Sequence, residues 1–216
     1  MLPLSFADNC HKTAFGFKKG TYLKYYKQLK DIFPNAKFIH IIRDGRAVFN
    51  SKKNSIYSVT GKPFETNALR AAKVWKEKVL LSKKVNDLYQ DTSIIIHYEN
   101  LILDTDQTLS EILEFLDLDY LNAKKSNLNY KVPLRYGNLH ENIRKKPLKS
   151  RINSWKEELS KQELKEYEYV AGTILNLEGY SLCNFHLDRI ERLKLHSKNI
   201  LIYFRDLKNK IKNKIS

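Results

Sequence analysis

Two isoleucine-rich runs, "KFIHII" at 37–42 and "SIIIHY" at 93–98, constrain the fold of this 216-residue chain more than any other feature. Each is short, continuous and apolar, the pattern of a buried strand. The stretches between them have helical spacing. A helix is expected over 46–55, after Gly45 has broken the first run, with Asp44 as its capping candidate. A loop around Gly61-Lys62-Pro63 then leads to a longer helix at about 66–89, where Leu69, Ala72, Trp75 and Val79 make one apolar stripe. Strands alternating with helices imply an α/β domain with a parallel sheet. Two strands are few for such a sheet.

Helical patterns also flank this unit. Over 21–33, Tyr22, Tyr25, Tyr26, Leu29 and Phe33 recur near helical spacing until Pro34-Asn35 stops the run. In "DTDQTLSEILEFLDL", Asp104 and Gln107 resemble a capping box, and Leu109, Ile112, Leu113 and Leu116 form the expected buried face. "LSKQELKEYEYVAGTILNLEGY" repeats the pattern, with Ser160 and Glu163 at its start and Gly179 as its stop. Residues 120–150, rich in Asn, Lys and turn formers, are expected to be irregular and exposed.

Composition narrows the classes of function. Hydrophobic residues make up 42% and charged residues 29%, as in a folded protein. No stretch reaches the ~18 apolar residues of a membrane span. The opening "MLPLSFADNCHK" lacks the basic start and long apolar core of a secretion signal. Cys10 and Cys183 make neither a disulfide framework nor a zinc spacing, so a reducing, cytoplasmic location is expected. A net charge of +15 points to anionic partners: nucleic acid, anionic lipid, or phosphorylated and sulfated small molecules. No nucleic-acid-binding module or aromatic–basic interleaving accompanies that charge, so a nucleic-acid partner is not expected.

The chemistry is concentrated in "KFIHIIRDGRAVFNS". In an open α/β sheet, ligands sit beyond the carboxyl ends of the strands, and Arg43 stands at such an end. The helix that follows offers backbone N–H groups and a positive dipole to the same space. Ser51, about two turns into that helix, adds a hydroxyl. A forked cation, a hydroxyl and a dipole suit a phosphate monoester. A strand–turn–helix junction with a surface arginine and a capping aspartate is equally compatible with these residues.

The longer run "FPNAKFIHIIRDGRAVFNS" resembles the 3′-phosphate-binding motif of sulfotransferases that use 3′-phosphoadenosine 5′-phosphosulfate (PAPS). In that family an arginine at a strand end and a serine eight residues later hold the 3′-phosphate, positions filled here by Arg43 and Ser51. "HYENLILDTDQTLSEILEFLDLDY" resembles the family's segment whose tyrosine lies near the adenine, here Tyr98. "KPLKSRINSWKEELSKQELKEYEYVAGTILNLEGY" resembles the later phosphate-contacting loop and closing helix, with Lys149, Ser150, Arg151 and Trp155 in the relevant stretch. "HKTAFGF" resembles the element whose lysine approaches the transferring sulfonate, which puts Lys12 there as the electrostatic catalyst. The likeness runs from about residue 10 to 181.

The resemblance implies a P-loop NTPase-like, three-layer α/β/α fold with a small parallel sheet and a helix-rich C-terminal half. It implies an α/β domain over 1–182; beyond it, the residues of 183–216 read as a basic amphipathic helix or tail. It implies sulfonate transfer from PAPS, without a metal, to a hydroxyl or amine of a carbohydrate, lipid headgroup, tyrosine or small phenol.

Two departures stand out. The family's opening strand and glycine/serine-rich loop, which cradles the 5′-phosphosulfate, have no counterpart, so the chain is expected to begin about one βαβ segment late. A catalytically incomplete, nucleotide-binding fragment or homologue is therefore the alternative to an enzyme. The histidine that serves cytosolic members as base is replaced by Ala14, other members use a glutamate further upstream, and His11, next to Lys12, is the candidate base within this sequence. His40 is expected to be a core histidine, and His97, His140, His186 and His196 have no metal-ligand spacing. For the basic tail three readings stay open: packing on the domain, contact with an anionic membrane surface, or binding of a polyanionic acceptor.

Overall fold

A computed structural model describes residues 16–57, 60–118 and 148–215. The chain divides into two compact units, Met1–Ala36 and Lys37–Ser216. In the first, a 3₁₀ turn at Tyr22–Tyr25 leads into helix α1 (Tyr26–Ile32). The Lys30 ammonium donates to the Pro34 carbonyl at 2.9 Å and closes that helix end.

The second unit is built on two parallel strands. Strand β1 (Phe38–Ile42) pairs with β4 (Ser93–His97) in a register running from Phe38 opposite Ser93 to Ile42 opposite His97. Between them come α2 (Gly45–Asn54), a small hairpin of β2 (Ile56–Tyr57) and β3 (Lys62–Pro63), and α3 (Ala68–Leu88). The hairpin replaces the loop expected around Gly61, and Gly61 makes its turn with φ +63°. After β4 follow α4 (Tyr98–Leu103), α5 (Thr105–Phe115), a 3₁₀ turn at Lys149–Ile152, α6 (Trp155–Glu158), α7 (Lys161–Leu177) and α8 (Arg189–Ile215). The result is a mixed α/β, helix-rich unit with a small parallel sheet.

The core lies where α2, α3 and α7 meet. Leu69, Ala72, Trp75 and Val79 of α3 are all buried, as their spacing predicts. Ala71 and Ala72 leave room for α7, whose Tyr167, Ala171 and Leu175 are fully buried. Tyr167 meets Phe49 of α2 and Trp75 of α3 at ring-centroid distances of 6.0 and 6.4 Å. Such aromatic pairs contribute about 1 kcal/mol beyond the area they bury.

Local signals set both ends of α7. Ser160 and Glu163 form a reciprocal capping box. At the other end Gly179 takes φ +81°, while the Tyr180 and Gly179 N–H groups donate to the Leu175 and Asn176 carbonyls, closing the turn. The capping box expected at α5 does not form. Asp104 ends α4 and begins α5 at once, and its N–H is taken by the Asn100 carbonyl, so Gln107 bonds Glu111 instead. The expected buried face of α5 is also shallower: Ile112, Leu113 and Leu116 are half-buried, Leu109 is exposed, and Thr108 is the buried residue.

The first strand departs from the buried strand its composition suggests. Ile39 and Ile41 are 37% and 54% exposed, while His40 and Ile42 point inward. Successive strand residues face opposite sides, and β4 is the one strand paired with β1 among the described residues. His40 is the expected core histidine: it is buried and its Nε2 lies 3.1 Å from the Ser93 hydroxyl. Burial pushes its pKa below the ordinary value. A base with a depressed folded pKa leaves the unfolded chain binding more protons, so its contribution is complete above about pH 6.5 and is lost as pH falls. The thermal midpoint of the parent chain is expected to fall more steeply from about pH 7 to 5 than that of His40→Gln. Parallel profiles for the two proteins would refute a titrating His40.

Candidate functional site

The site is assembled by register. Because β1 and β4 are parallel and in step, both chains leave the sheet at the same edge, and Arg43-Asp44 emerges beside Tyr98-Glu99. The Arg43 guanidinium lies over the Tyr98 ring, 4.5 Å from its centroid. Arg43 Nη2 donates to the Arg151 carbonyl at 2.9 Å, which ties the Lys149–Ile152 turn to the same point. The Arg43 carbonyl accepts from the Trp75 indole N–H at 2.9 Å, fixing the backbone beneath. Arg43 Nε is buried and has no partner among the described residues. A buried, unsatisfied donor is costly unless a ligand completes it.

The turn after Arg43 is held from both sides. Asp44 caps α2 by accepting the Arg46 N–H at 2.8 Å. Its own N–H donates to Glu99 Oε1 at 3.0 Å, and Glu99 Oε2 accepts the Tyr180 hydroxyl at 2.9 Å. Burial and the Glu99 carboxylate push the Tyr180 hydroxyl far above its usual pKa, so it stays a donor. Arg46 lies beneath, fully buried between Asp44 and Glu168 and stacked 3.9 Å from the centroid of Trp155.

Thus Arg43, Tyr98 and Arg151, each predicted from sequence, are in mutual reach through Arg43. Ser51 is exposed on the second turn of α2, the helix that begins two residues beyond Arg43. Lys149 and Ser150 are exposed on the same short turn as Arg151. His11 and Lys12 lie outside the described residues.

Gly45 has a different role from the one its sequence suggests. It is the first residue of α2 and has no positive φ. A Cβ there would stand 2.2 Å from the Tyr167 hydroxyl and 2.6 Å from the Trp75 ring, so the residue serves close approach and not chain reversal. Sequence reasoning passed over Glu99, Tyr180, Arg46 and Glu168. Glu99 carried a usable signal, since it follows the tyrosine of a strand end directly. Glu168 carried none, lying mid-helix and 122 residues from Arg46.

A family model for the sulfotransferase family matches residues 5–122, more than half of the chain and a span that includes Arg43, Ser51 and Tyr98. The chain belongs to the sulfotransferase family. Among its relatives, a protein-tyrosine sulfotransferase of Drosophila melanogaster is 29% identical over 116 residues, 53% of this chain and 22% of the relative. Protein-tyrosine sulfotransferase A of Caenorhabditis elegans is 31% identical over 113 residues, 51% of this chain and 28% of the relative. The matched part thus spans less than a third of either relative. The sulfotransferase domain from the curacin biosynthetic pathway superposes with a TM-score of 0.56 at 19% identity, covering 75% of this chain and 61% of that domain. That likeness places this member of the family in the P-loop-like sulfotransferase fold.

Proposed function

We propose that this sulfotransferase-family chain takes its sulfonate from PAPS and transfers it to a tyrosine hydroxyl of a protein. The observation that carries the donor assignment is Arg43: a fork-shaped cation at a parallel strand end, oriented by Arg151 and Tyr98, with a buried Nε that has no partner among the described residues. The 3′-phosphate would sit against that fork and the Ser51 hydroxyl, with Lys149, Ser150 and Arg151 at its rim and Tyr98 bordering the adenine. The tyrosine acceptor is suggested by what the relatives in fly and nematode are named for.

In the transfer, the acceptor oxygen forms a bond to sulfur as the bond from sulfur to the 5′-phosphate oxygen breaks. The hydroxyl proton passes to a base, and 3′-phosphoadenosine 5′-phosphate leaves. Lys12 would neutralise charge on the leaving oxygen, and His11 is the base candidate within this chain. Both assignments rest on the family resemblance.

Calorimetry with 3′-phosphoadenosine 5′-phosphate tests the donor site. Arg43→Ala is expected to weaken binding roughly tenfold to hundredfold, and Ser51→Ala by a smaller factor, as befits loss of a charge-assisted and of a neutral hydrogen bond. Adenosine 5′-phosphate, lacking the 3′-group, should bind the parent and both variants alike. Equal affinity of Arg43→Ala and parent for the 3′-phosphorylated ligand would sink the assignment. Transfer of radiolabelled sulfonate to a tyrosine peptide, absent with its phenylalanine counterpart, tests the acceptor.

A further inference from the structure

We infer that α8 docks this protein on an anionic lipid surface, through a stripe of apolar side chains on the helix face turned away from its own core. The inference is independent of the sulfonate-transfer reading. The inward face of α8 is fully accounted for. Leu195 and Ile202 are buried, and Glu191, Lys198 and Asp206 pair with Lys165, Glu166 and Lys73. These positions recur every three or four residues, so they make one face.

A second set keeps the same spacing on another face. Leu193, Ile200, Phe204, Leu207 and Ile211 are separated by three, four or seven positions, and all are exposed. Leu193 stands two positions from Leu195, and Phe204 two from Ile202. At about 100° per residue this sets the two faces about 200° apart. The exposure is large where it counts: 68% for Leu193 and 60% for Phe204. A helix that has already buried one apolar face has no folding reason to carry a second.

Charge identifies the occupant. Residues 189–215 hold nine Lys or Arg against two acids, Glu191 and Asp206, a net +7. Both acids are used in ion pairs with Lys165 and Lys73, so among the described residues of the helix no unpaired acid offsets the basic charge. By the same spacing Lys208, four residues from Phe204 and three from Ile211, borders the stripe, where its stem extends apolar cover and its ammonium group reaches headgroup phosphates. A second copy is a poor occupant, because pairing two stripes would bring two +7 helices side by side. Anionic lipid satisfies both halves of the surface, acyl boundary for the stripe and headgroups for the lysines. No described helix is long and apolar enough to cross a membrane, so the contact is peripheral.

Co-sedimentation of the full chain with vesicles tests the surface. Binding is expected to phosphatidylcholine vesicles carrying about a third phosphatidylserine, with little to phosphatidylcholine alone, and it should weaken as salt rises. Leu193→Ser with Phe204→Ser should cut partitioning by roughly tenfold to hundredfold. Because both side chains are exposed, the thermal midpoint of that variant should match the parent, which separates lost docking from lost folding. Three results would each overturn the proposal: no preference for phosphatidylserine, unchanged binding by the double variant, or no vesicle binding together with a dimer in sedimentation that the variant abolishes.

Discussion

Alanine at position 45 is expected to cost about 3 kcal/mol or more and to leave the chain largely unfolded near its working temperature. The added methyl carbon would sit 2.2 Å from the Tyr167 oxygen and 2.6 and 2.8 Å from two atoms of the Trp75 ring. Neither neighbour can yield cheaply. Tyr167 is fully buried and packed on Phe49, and Trp75 is held by its indole N–H bond to the Arg43 carbonyl. Displacing Trp75 would also release the backbone that aims Arg43, so residual folded protein should bind 3′-phosphoadenosine 5′-phosphate poorly.

The two clashes can be separated. The Tyr167 hydroxyl is buried without a hydrogen-bond partner among the described residues, so Tyr167→Phe alone should be neutral or mildly stabilising. Combined with Gly45→Ala it removes the shortest contact and should recover part, not all, of the lost denaturant midpoint. If Gly45→Ala unfolds at the same denaturant concentration as the parent, the close approach is not what the glycine serves.

What could be read from sequence and what could not follows the range of the interactions. The α3 stripe, the Ser160–Glu163 cap and the Gly179 stop depend on residues within a turn or two, and each forms as read. The place of Arg43 just beyond a parallel strand was legible because a charged residue closes the apolar run before it. The direct contact of Arg43 with Tyr98 became visible only with the strand register, which sets Ile42 opposite His97. The Asp104–Gln107 signal misled because its backbone donor was already bonded to the preceding helix. Gly45 looked like a turn residue because the rings that crowd it come from positions far along the chain. Arg46 was passed over, since sequence alone shows no partner that would offset the cost of its burial.

That buried charge carries the second large effect. Arg46 bonds Asp44 through Nε and Nη2 at 3.1 and 2.8 Å and Glu168 through Nη1 at 2.6 Å, with its face on Trp155. Burial works against the guanidinium charge, but the two carboxylates outweigh it and raise its pKa. Arg46→Met would leave those carboxylates facing each other without a cation, at a cost of about 3–5 kcal/mol at neutral pH. The pH dependence gives the diagnosis. In the variant the folded-state carboxyl pKa values would lie above their unfolded values, so the folded state would bind more protons, and stability should recover as pH falls toward about 5. Adding Asp44→Asn and Glu168→Gln should restore much of the loss at neutral pH, since asparagine still caps α2.

A purely structural fault would stop there, but Arg46 also bears on the ligand edge. Trp155 follows the Lys149–Ile152 turn by three residues, and Asn50 of α2 bonds Ser154 and Glu158 beside it. The same strand–turn–helix segment therefore grips the returning chain at several points, Arg43 at Arg151, Arg46 at Trp155 and Asn50 at Ser154 and Glu158. Arg46→Met should weaken 3′-phosphoadenosine 5′-phosphate binding even at a pH where the variant is fully folded. Calorimetry of the folded variant checks this, and an unchanged affinity would confine Arg46 to stability.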